Sequence, residues 1–167
     1  MGLFGFGKSN DEKYEEAIAC YDEAIKIDSK FSLPWNNRGR ALLELERYEE
    51  AIACFDEAIR LNPQYDDAWF FKGNVLYVQE KYRESIAYFN EAIRINPEFA
   101  LAWHNRGITF AELEEYEEAV ECYDEAIQLD PELDDTWHKK GMALYYLSKF
   151  KEAITCYNEA IMLNSDS

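Results

Sequence analysis

Hydrophobic and polar positions along most of the chain follow the spacing of amphipathic helices. After Pro34, the residues Trp35, Gly39 and Leu42 are four and three positions apart, which places them on one stripe of a helix. A second stripe with similar spacing follows: Ala51, Ile52, Phe55, Ala58 and Ile59. Proline cannot continue a helix, so Pro63 ends this segment. The pattern predicts two helices joined by a short turn.

The same pattern returns every 34 residues. Tryptophan stands at Trp35, Trp69, Trp103 and Trp137, and glycine follows four residues later at Gly39, Gly73, Gly107 and Gly141. An aromatic residue then occupies Phe55, Phe89, Tyr123 and Tyr157. A second period of 68 is also visible, because WHNRG at 103–107 copies WNNRG at 35–39 more closely than WFFKG at 69–73. We therefore expect alternate repeats to present different chemistry.

These markers resemble the tetratricopeptide repeat, a helix–turn–helix unit with a 34-residue period, over residues 32–167. The resemblance implies an all-α fold, a right-handed superhelix (solenoid) of antiparallel helix hairpins. One hairpin cannot bury its apolar face alone, so neighbouring hairpins stack and share a continuous core. The expected organisation is a glycine-rich N-terminal tail, a half repeat that holds a second helix only, and four repeats: 1–10, 11–31, 32–65, 66–99, 100–133 and 134–167.

Details of the two ends and of the first helices lead to three further expectations. Ser9 and Glu12 form a capping-box pattern, so the first helix should begin there, and its apolar stripe should lack its own partner. The glycine of each first helix should let two helix backbones approach closely. Where the family usually has leucine before that glycine, this chain has Arg38, Lys72, Arg106 and Lys140. We expect their aliphatic stems to lie on the seam and their charges to reach water.

The charge balance argues against several classes of partner. Lys and Arg number 17 against 34 Asp and Glu, which gives a net charge of −17. A surface that reads nucleic-acid phosphates needs basic density, so no nucleic-acid partner is expected. No apolar run approaches the roughly 18 residues of a membrane span, so no membrane partner is expected either. Acidic residues such as Glu49, Glu50, Glu117 and Glu118 lie on the second helices. In the family these helices form the outer wall, where acid favours solubility or, alternatively, docks a basic partner.

The candidate chemical motifs do not point to catalysis or to a cofactor. Gly2 to Ser9 formally match a phosphate-binding loop, but no strand can precede them, so we expect no nucleotide binding. Cys20, Cys54, Cys122 and Cys156 occupy one repeated slot and should be too far apart for disulfides, which favours reduced thiols in a cytoplasmic protein. His104 and His138 are one period apart, too far to share a metal. We expect no enzyme, no cofactor and no metal.

The inner faces of the first helices carry the residues that we predict to bind a peptide. A face without a task should be charged and free of patches, whereas this one is rich in rings and amides. The predicted contacts are Asn36, Asn37, Arg40, Phe70, Phe71, Asn74, Tyr77, His104, Asn105, Ile108, His138, Lys139, Met142, Tyr145 and Tyr146. The alternative is that the aromatic residues only pack within and between repeats.

One family precedent is a clamp of lysines, asparagines and an arginine that holds the C-terminal carboxylate of a chaperone partner. Asn74 and Asn105 match this clamp, and Lys139 replaces its arginine. Phe70 and Asp135 stand where the clamp has lysines. Because Asp135 would repel a carboxylate, the sequence argues against a full clamp.

A second family precedent is an inner ladder of asparagines that grips peptide backbone in sugar-transferase members. Asn37 and Asn105 match the ladder, while Phe71 and Lys139 interrupt it. An asparagine amide donates to a peptide carbonyl and accepts from its N–H, so it can hold backbone without demanding a sequence. The resemblance therefore implies a protein–protein interaction scaffold or adaptor that binds a peptide segment in a concave groove. The groove charges nearly cancel, with Arg40 and Lys139 against Glu44, Asp67, Glu112 and Asp135, so we predict an apolar to mildly basic segment.

The competing hypothesis is structural. The chain could self-assemble as a homo-oligomer through the ends of the solenoid, or through its N-terminal tail, in which Leu3, Phe4 and Phe6 are apolar.

Overall fold

The computed structural model describes residues 9–165, and within them it contains nine α-helices and no strand. Their bounds are α1 Asn10–Ile27, α2 Ser32–Glu44, α3 Tyr48–Leu61, α4 Asp66–Val78, α5 Tyr82–Ile95, α6 Ala100–Glu112, α7 Tyr116–Leu129, α8 Asp134–Tyr146 and α9 Phe150–Ser165. First helices of 13 residues (α2, α4, α6, α8) alternate with second helices, of which α3, α5 and α7 have 14. The predicted all-α series of helix hairpins is confirmed.

The start of α1 is fixed by the predicted capping box. The Glu12 N–H donates to Ser9 Oγ at 3.3 Å, and the Ser9 N–H donates to Glu12 Oε2 at 3.0 Å. Most of the glycine-rich tail, residues 1–8, lies outside the described residues. The expectation that the apolar stripe of α1 lacks a partner is wrong in one respect, because Ile18 is buried in the same core as Leu42 and Phe55.

Each first helix ends in a tight left-handed turn without glycine. The residues with positive φ, between 57° and 61°, are Glu46, Glu80, Glu114 and Ser148. Each is followed by a residue whose N–H donates to a carbonyl five residues earlier, as from Arg47 to Leu42 at 2.9 Å. This bond satisfies a carbonyl at the end of the first helix and reverses the chain.

The chain divides into two compact units, Met1–Val75 and Leu76–Ser167, with the boundary inside α4. In the first unit the core comprises Ile18, Ala41, Leu42, Ala51, Cys54, Phe55 and Val75. In the second unit one cluster gathers around Tyr123 and Ala143, and another around Leu144 and Cys156.

Gly39, Gly107 and Gly141 on the first helices make room for an aromatic ring, not for a second backbone as expected. A Cβ atom on Gly39 would lie 2.7 Å from Cε1 of Phe55, and one on Gly107 would lie 2.6 Å from Cε1 of Tyr123. Both rings are essentially fully buried. The glycine and the aromatic marker of one repeat are therefore a packed pair.

The four tryptophans tie each first helix to the turn before it. Each indole Nε1 donates to the backbone carbonyl six residues earlier, at 3.0 to 3.2 Å, on Ser29, Pro63, Pro97 and Pro131. The indole rings are half-buried, and the carbonyl supplies the hydrogen-bond acceptor that an indole N–H needs when it is removed from water.

The cations before the glycines pair with the preceding second helix, so the expectation that their charges simply reach water is wrong. Arg38 Nε lies 2.8 Å from Asp22 Oδ1, and Lys72 Nζ lies 2.5 Å from Asp56 Oδ1. In the other unit, Lys140 pairs with Asp124, and Arg106 donates to Asn90 Oδ1 at 2.9 Å. These pairs link a first helix to the second helix of the repeat before it.

Candidate peptide-binding site

Three of the predicted contacts are buried and cannot meet a peptide. The position after each tryptophan is 0% exposed at Asn36, 6% at Phe70 and 8% at His104. The predicted role of these three residues is wrong, because this position of the helix turns into the packed interior. His138 occupies the same position one repeat later and is exposed.

The buried amide of Asn36 contacts the turn before the next first helix. Its Nδ2 donates to the Tyr65 hydroxyl at 3.3 Å, while its Oδ1 has no hydrogen-bond partner within the described chain. Burial is the main cause that raises the pKa of Tyr65, so its hydroxyl stays protonated. Asn36 therefore serves packing in the first unit.

His104 holds the first helix of the following repeat. Its Nδ1 lies 2.8 Å from the Thr136 hydroxyl, and its Nε2 lies 3.5 Å from Asp135 Oδ2. Burial lowers the pKa of His104, and the nearby Asp135 opposes this only in part. The imidazole is thus neutral at pH 7 and acts in packing, not in binding.

In the first unit, the predicted contacts that remain accessible lie on α2 and α4. Arg40 is exposed, Asn37 is half-buried, and both line a pocket of about 390 Å³ between α1 and α2. The Arg40 guanidinium lies 4.5 Å from the centroid of the Phe71 ring, a cation–π distance. Asn74 is half-buried. This part of the site offers amides, one cation, the Glu44 carboxylate and aromatic rings.

Phe71 also belongs partly to the core, as the packing alternative proposed. Its ring stacks on Phe55 at a centroid distance of 6.1 Å and meets the edge of Phe70 at 5.1 Å. The alternative is therefore confirmed for Phe70, and Phe71 combines packing with a partly accessible face.

In the second unit, four of the predicted contacts come together in one pocket of about 310 Å³. Its lining comprises Ile108, Ala111, Glu112, Glu114, Tyr116, Tyr123, Lys139, Met142 and Tyr146. The pocket lies between α6, the start of α7, and α8. We name it the tyrosine pocket.

Tyr116 and Glu114 belong to the tyrosine pocket but were missed among the predicted contacts. Tyr116 recurs as an aromatic residue at Tyr48, Tyr82 and Phe150 in the other repeats, which is typical of packing, although a tyrosine also carries a polar hydroxyl. Glu114 stands in a turn, outside the helix face from which contacts were predicted. Glu114 stands two residues before Tyr116 in the sequence, and this nearness to an aromatic residue is the signal that could have indicated it as a contact.

Aromatic rings and carboxylates meet in and beside the tyrosine pocket. The rings of Tyr116 and Tyr146 stack with centroids 4.7 Å apart. The Tyr77 hydroxyl donates to Glu112 Oε1 at 3.2 Å, and burial followed by the charge of Glu112 raises the pKa of Tyr77 to about 12. Burial and then the charge of Glu114 raise the pKa of Tyr116. The carboxylates therefore give this pocket a negative field.

Asn105 and Tyr145 lie outside the linings described so far. Asn105 is half-buried on α6, and its backbone carbonyl accepts the Thr109 hydroxyl at 2.7 Å. Tyr145 is 56% exposed and meets Phe150 edge-on at 5.5 Å.

A separate surface lies on α8 and α9. His138, predicted on the inner face, lines a pocket of about 680 Å³ there with Asp135, Tyr157 and Ile161. Large apolar side chains are exposed on α9: Phe150, Ile154, Ile161 and Met162. This apolar face of α9 is distinct from the tyrosine pocket.

Residues 9–165 present no cluster of three His, Cys, Asp or Glu side chains that could hold a metal ion. All four cysteines are free thiols. Burial raises the pKa of Cys54, Cys122 and Cys156, which disfavours the reactive thiolate. In the same part of the chain, no helix has the length and apolarity that crossing a membrane requires.

Several solved structures share this fold. MamA has a TM-score of 0.84 at 19% identity, with 96% of this chain and 97% of that chain covered. The fragment MamA 41-end from Desulfovibrio magneticus RS-1 gives 0.81 at 22% identity, covering 96% and 98%. YrrB, described as a TPR protein with an unusual peptide-binding site, gives 0.75 at 24% identity, covering 93% and 80%. At these identities the likeness shows the fold alone.

Family models match nearly the whole chain, although no curated protein sequence matches it significantly. Models described as tetratricopeptide repeat match residues 36–98, 100–133 and 135–167, and one described as TPR repeat matches residues 11–46. The matches extend over the repeats marked by tryptophan, glycine and the aromatic pair, and the helix hairpins have the expected fold. The chain belongs to the tetratricopeptide repeat family.

Proposed function

We propose that this protein is a scaffold or adaptor that binds a peptide segment of a partner protein on the inner faces of its first helices, without catalysis. The family supports the coarser part of the proposal, protein–protein interaction. The finer part rests mainly on the tyrosine pocket, which gathers the predicted contacts Ile108, Lys139, Met142 and Tyr146 at one accessible place. The peptide-binding site attributed to YrrB, which has the same fold, is a further support.

The accessible contacts divide by chemistry into two kinds. Half-buried amides at Asn37, Asn74 and Asn105 can pair with peptide backbone, which requires no particular sequence. Rings and apolar side chains, among them Met142 and Tyr146, supply contact area for apolar side chains. Amides that can hold backbone, together with apolar area that can cover side chains, suit an extended peptide segment.

The proposal is tested with a library of random nonapeptides. The wild-type protein should enrich a set of peptides, and binding of the best one is then measured by fluorescence anisotropy. The variant Asn37→Ala/Ile108→Ala/Tyr146→Ala should bind it at least about tenfold more weakly, since a few central contacts dominate such interfaces. Glu117→Ala/Glu118→Ala, on the exposed face of α7, is the control. Equal affinity of the triple variant and the control would contradict the proposal.

A second candidate function, self-assembly, is favoured by the apolar face of α9. Ile154 is 59% exposed, Ile161 is 66% exposed and Met162 is 60% exposed, and side chains of this kind at one surface often mark an interface. Light scattering across a dilution series tests it, with and without Ile154→Glu/Ile161→Glu. A wild-type protein that remains monomeric at every concentration would exclude this function.

A further inference from the structure

We propose that the tyrosine pocket binds the cationic side chain of a lysine or arginine in the partner segment, an inference that rests on the proposed function. Such a side chain has two parts with different needs, an aliphatic stem and a charged head. The pocket has apolar walls that can contact the stem and carboxylates that can pair with the head.

The walls of the tyrosine pocket suit an aliphatic stem. Ile108 and Ala111 on α6 face Met142 and Tyr146 on α8 across a cavity of about 310 Å³. Met142 is 38% exposed and Tyr146 is 58% exposed, so both keep surface that a ligand can cover. Covering this surface removes apolar area from water, which favours binding.

The carboxylates suit a cationic head because neither is already neutralised. Among residues 9–165, neither Glu112 nor Glu114 forms an ion pair, whereas the neighbouring Glu115 pairs with Arg83. The Tyr77 hydroxyl holds Glu112 in place at 3.2 Å without supplying a charge. An incoming ammonium or guanidinium group would therefore form the first ion pair of these two carboxylates, in a pocket that Lys139 also lines.

The stacked tyrosines add attraction for a cation. Tyr116 and Tyr146 lie nearly parallel, with an angle of 12° between their planes, so each hides one face against the other. Tyr145 also meets the Tyr146 ring in a nearly perpendicular contact, with centroids 5.9 Å apart, but Tyr146 remains 58% exposed. The electron-rich face of a phenol ring attracts a cation.

Lys139 is the group that opposes the proposal, since its ammonium shares the pocket. It could instead bind a partner's carboxylate. Two glutamates against one lysine leave an excess of negative charge in the lining, and the chain as a whole carries −17. The charge balance thus favours a cation. Removing Lys139 should tighten the binding of a cationic ligand and weaken the binding of a carboxylate.

The test uses small probes, so it does not depend on knowing the partner. Nα-acetyl-lysine methylamide is titrated into the methyl-labelled full chain, and the Ile108 and Met142 methyl resonances are followed by NMR. The norleucine analogue keeps the stem without the charge, and the glutamate analogue reverses the charge. We expect saturable shifts with the lysine probe at millimolar concentration and weaker binding of both analogues.

Variants with equal changes of charge provide the comparison. Glu112→Gln/Glu114→Gln should weaken lysine binding by about threefold to tenfold, as expected for two exposed charge pairs. Glu117→Gln/Glu118→Gln, the same change of charge on the exposed face of α7, should leave it unchanged. Lys139→Met should tighten it about twofold. The proposal would be overturned if the lysine and norleucine probes bound equally, or if no methyl resonance shifted. It would also be overturned if the glutamate probe bound best and Lys139→Met abolished that binding.

The peptide library separates failure of this inference from failure of the proposed function. Enriched peptides without an excess of lysine or arginine, bound equally by Glu112→Gln/Glu114→Gln, would overturn the cation site and leave the scaffold function intact. Lysine-probe binding at the pocket together with a library that yields no peptide would support the site and count against the scaffold function.

Discussion

At the scale of single residues, two glycines in the second unit face rings that differ in their freedom to move. The Cβ atom of an alanine would lie 2.6 Å from Cε1 of Tyr123 at position 107, and 2.7 Å from Cε1 of Tyr157 at position 141. Tyr123 is 1% exposed and enclosed, whereas Tyr157 is half-buried and can turn toward solvent. Nearly identical distances should therefore have different energetic consequences.

We predict that Gly107→Ala destabilises the protein and that Gly141→Ala costs clearly less. Overpacking a closed core costs about 1–3 kcal/mol, while replacing a helical glycine by alanine regains about 1 kcal/mol. At Gly107 the first effect should win, and at Gly141 the two should nearly cancel. Urea unfolding of both variants measures the difference. Equal losses would show that the mobility of the ring does not decide the outcome.

His104 gives the protein a predicted weakness in mild acid. Its pKa is lowered from 6.5 by burial, so the folded state keeps the imidazole neutral while the unfolded chain takes up a proton. Proton uptake by the unfolded state means that stability falls as the pH decreases below about 6.5. His104→Gln should remove part of this decrease between pH 7.5 and pH 5.5, as followed by urea unfolding.

His138→Gln is the matched control for His104, because it changes the same position of the next repeat where the side chain is exposed. If both variants gave the same slope, the burial of His104 would not be the cause.

The sequence marks residues whose partners lie in the same repeat, although it did not predict that the partner of the glycine is an aromatic ring. The pair formed by Gly107 and Tyr123 is separated by 16 residues at each recurrence, so its repetition is visible in the sequence. The failures at Asn36, Phe70 and His104 have a different origin. This position lies beside the tryptophan stripe, and only the placement of the following first helix decides whether it is covered.

At the scale of helices, the ion pairs between consecutive repeats replace the leucine seam usual in the family. Lys72 has a side chain 11% exposed, and its partner Asp56 is 54% exposed. Because the lysine is largely removed from water, losing the carboxylate leaves a poorly solvated charge. The exposure of Asp56 limits the strength of the pair.

We predict that Asp56→Ala costs about 1 kcal/mol, of which a large part disappears when Lys72→Met is already present. Thermal or urea unfolding of the two single variants and the double variant gives the coupling. Glu57→Ala is the control, since its partner Arg60 on the same helix is 66% exposed, so that losing Glu57 leaves a well-solvated charge and should cost less. Strict additivity of Asp56→Ala and Lys72→Met would contradict the role of the pair.

Sequence patterns predicted the helices better than the turns between them. The capping box at Ser9 and the prolines gave helix ends through local chemistry that leaves a trace in the sequence. The turns at Glu46, Glu80 and Glu114 adopt positive φ without glycine or asparagine, so no turn signal marks them. Their conformation is set by the packing of the two helices that they join.

At the scale of the whole molecule, negative charge exceeds positive charge by 17, and this excess opposes folding. Many acids lie on exposed faces of second helices, as at Glu117 and Glu118, where like charges repel one another. Salt screens both this repulsion and the exposed ion pairs. With twice as many acidic as basic side chains, relief of repulsion should be the larger effect.

We therefore predict that raising sodium chloride from low to physiological concentration and above increases the melting temperature, by about 2–4 °C for each kcal/mol of repulsion relieved in a chain of this size. Calorimetry at constant pH checks it. Glu117→Gln/Glu118→Gln, which reduces the negative charge on α7, should raise the melting temperature at low salt and shrink the response to salt. Self-association through the apolar face of α9 would also raise the melting temperature with salt, but that rise would depend on protein concentration. The rise predicted here must therefore be the same at every protein concentration. A melting temperature that falls with salt would instead mean that the ion pairs between repeats outweigh the repulsion.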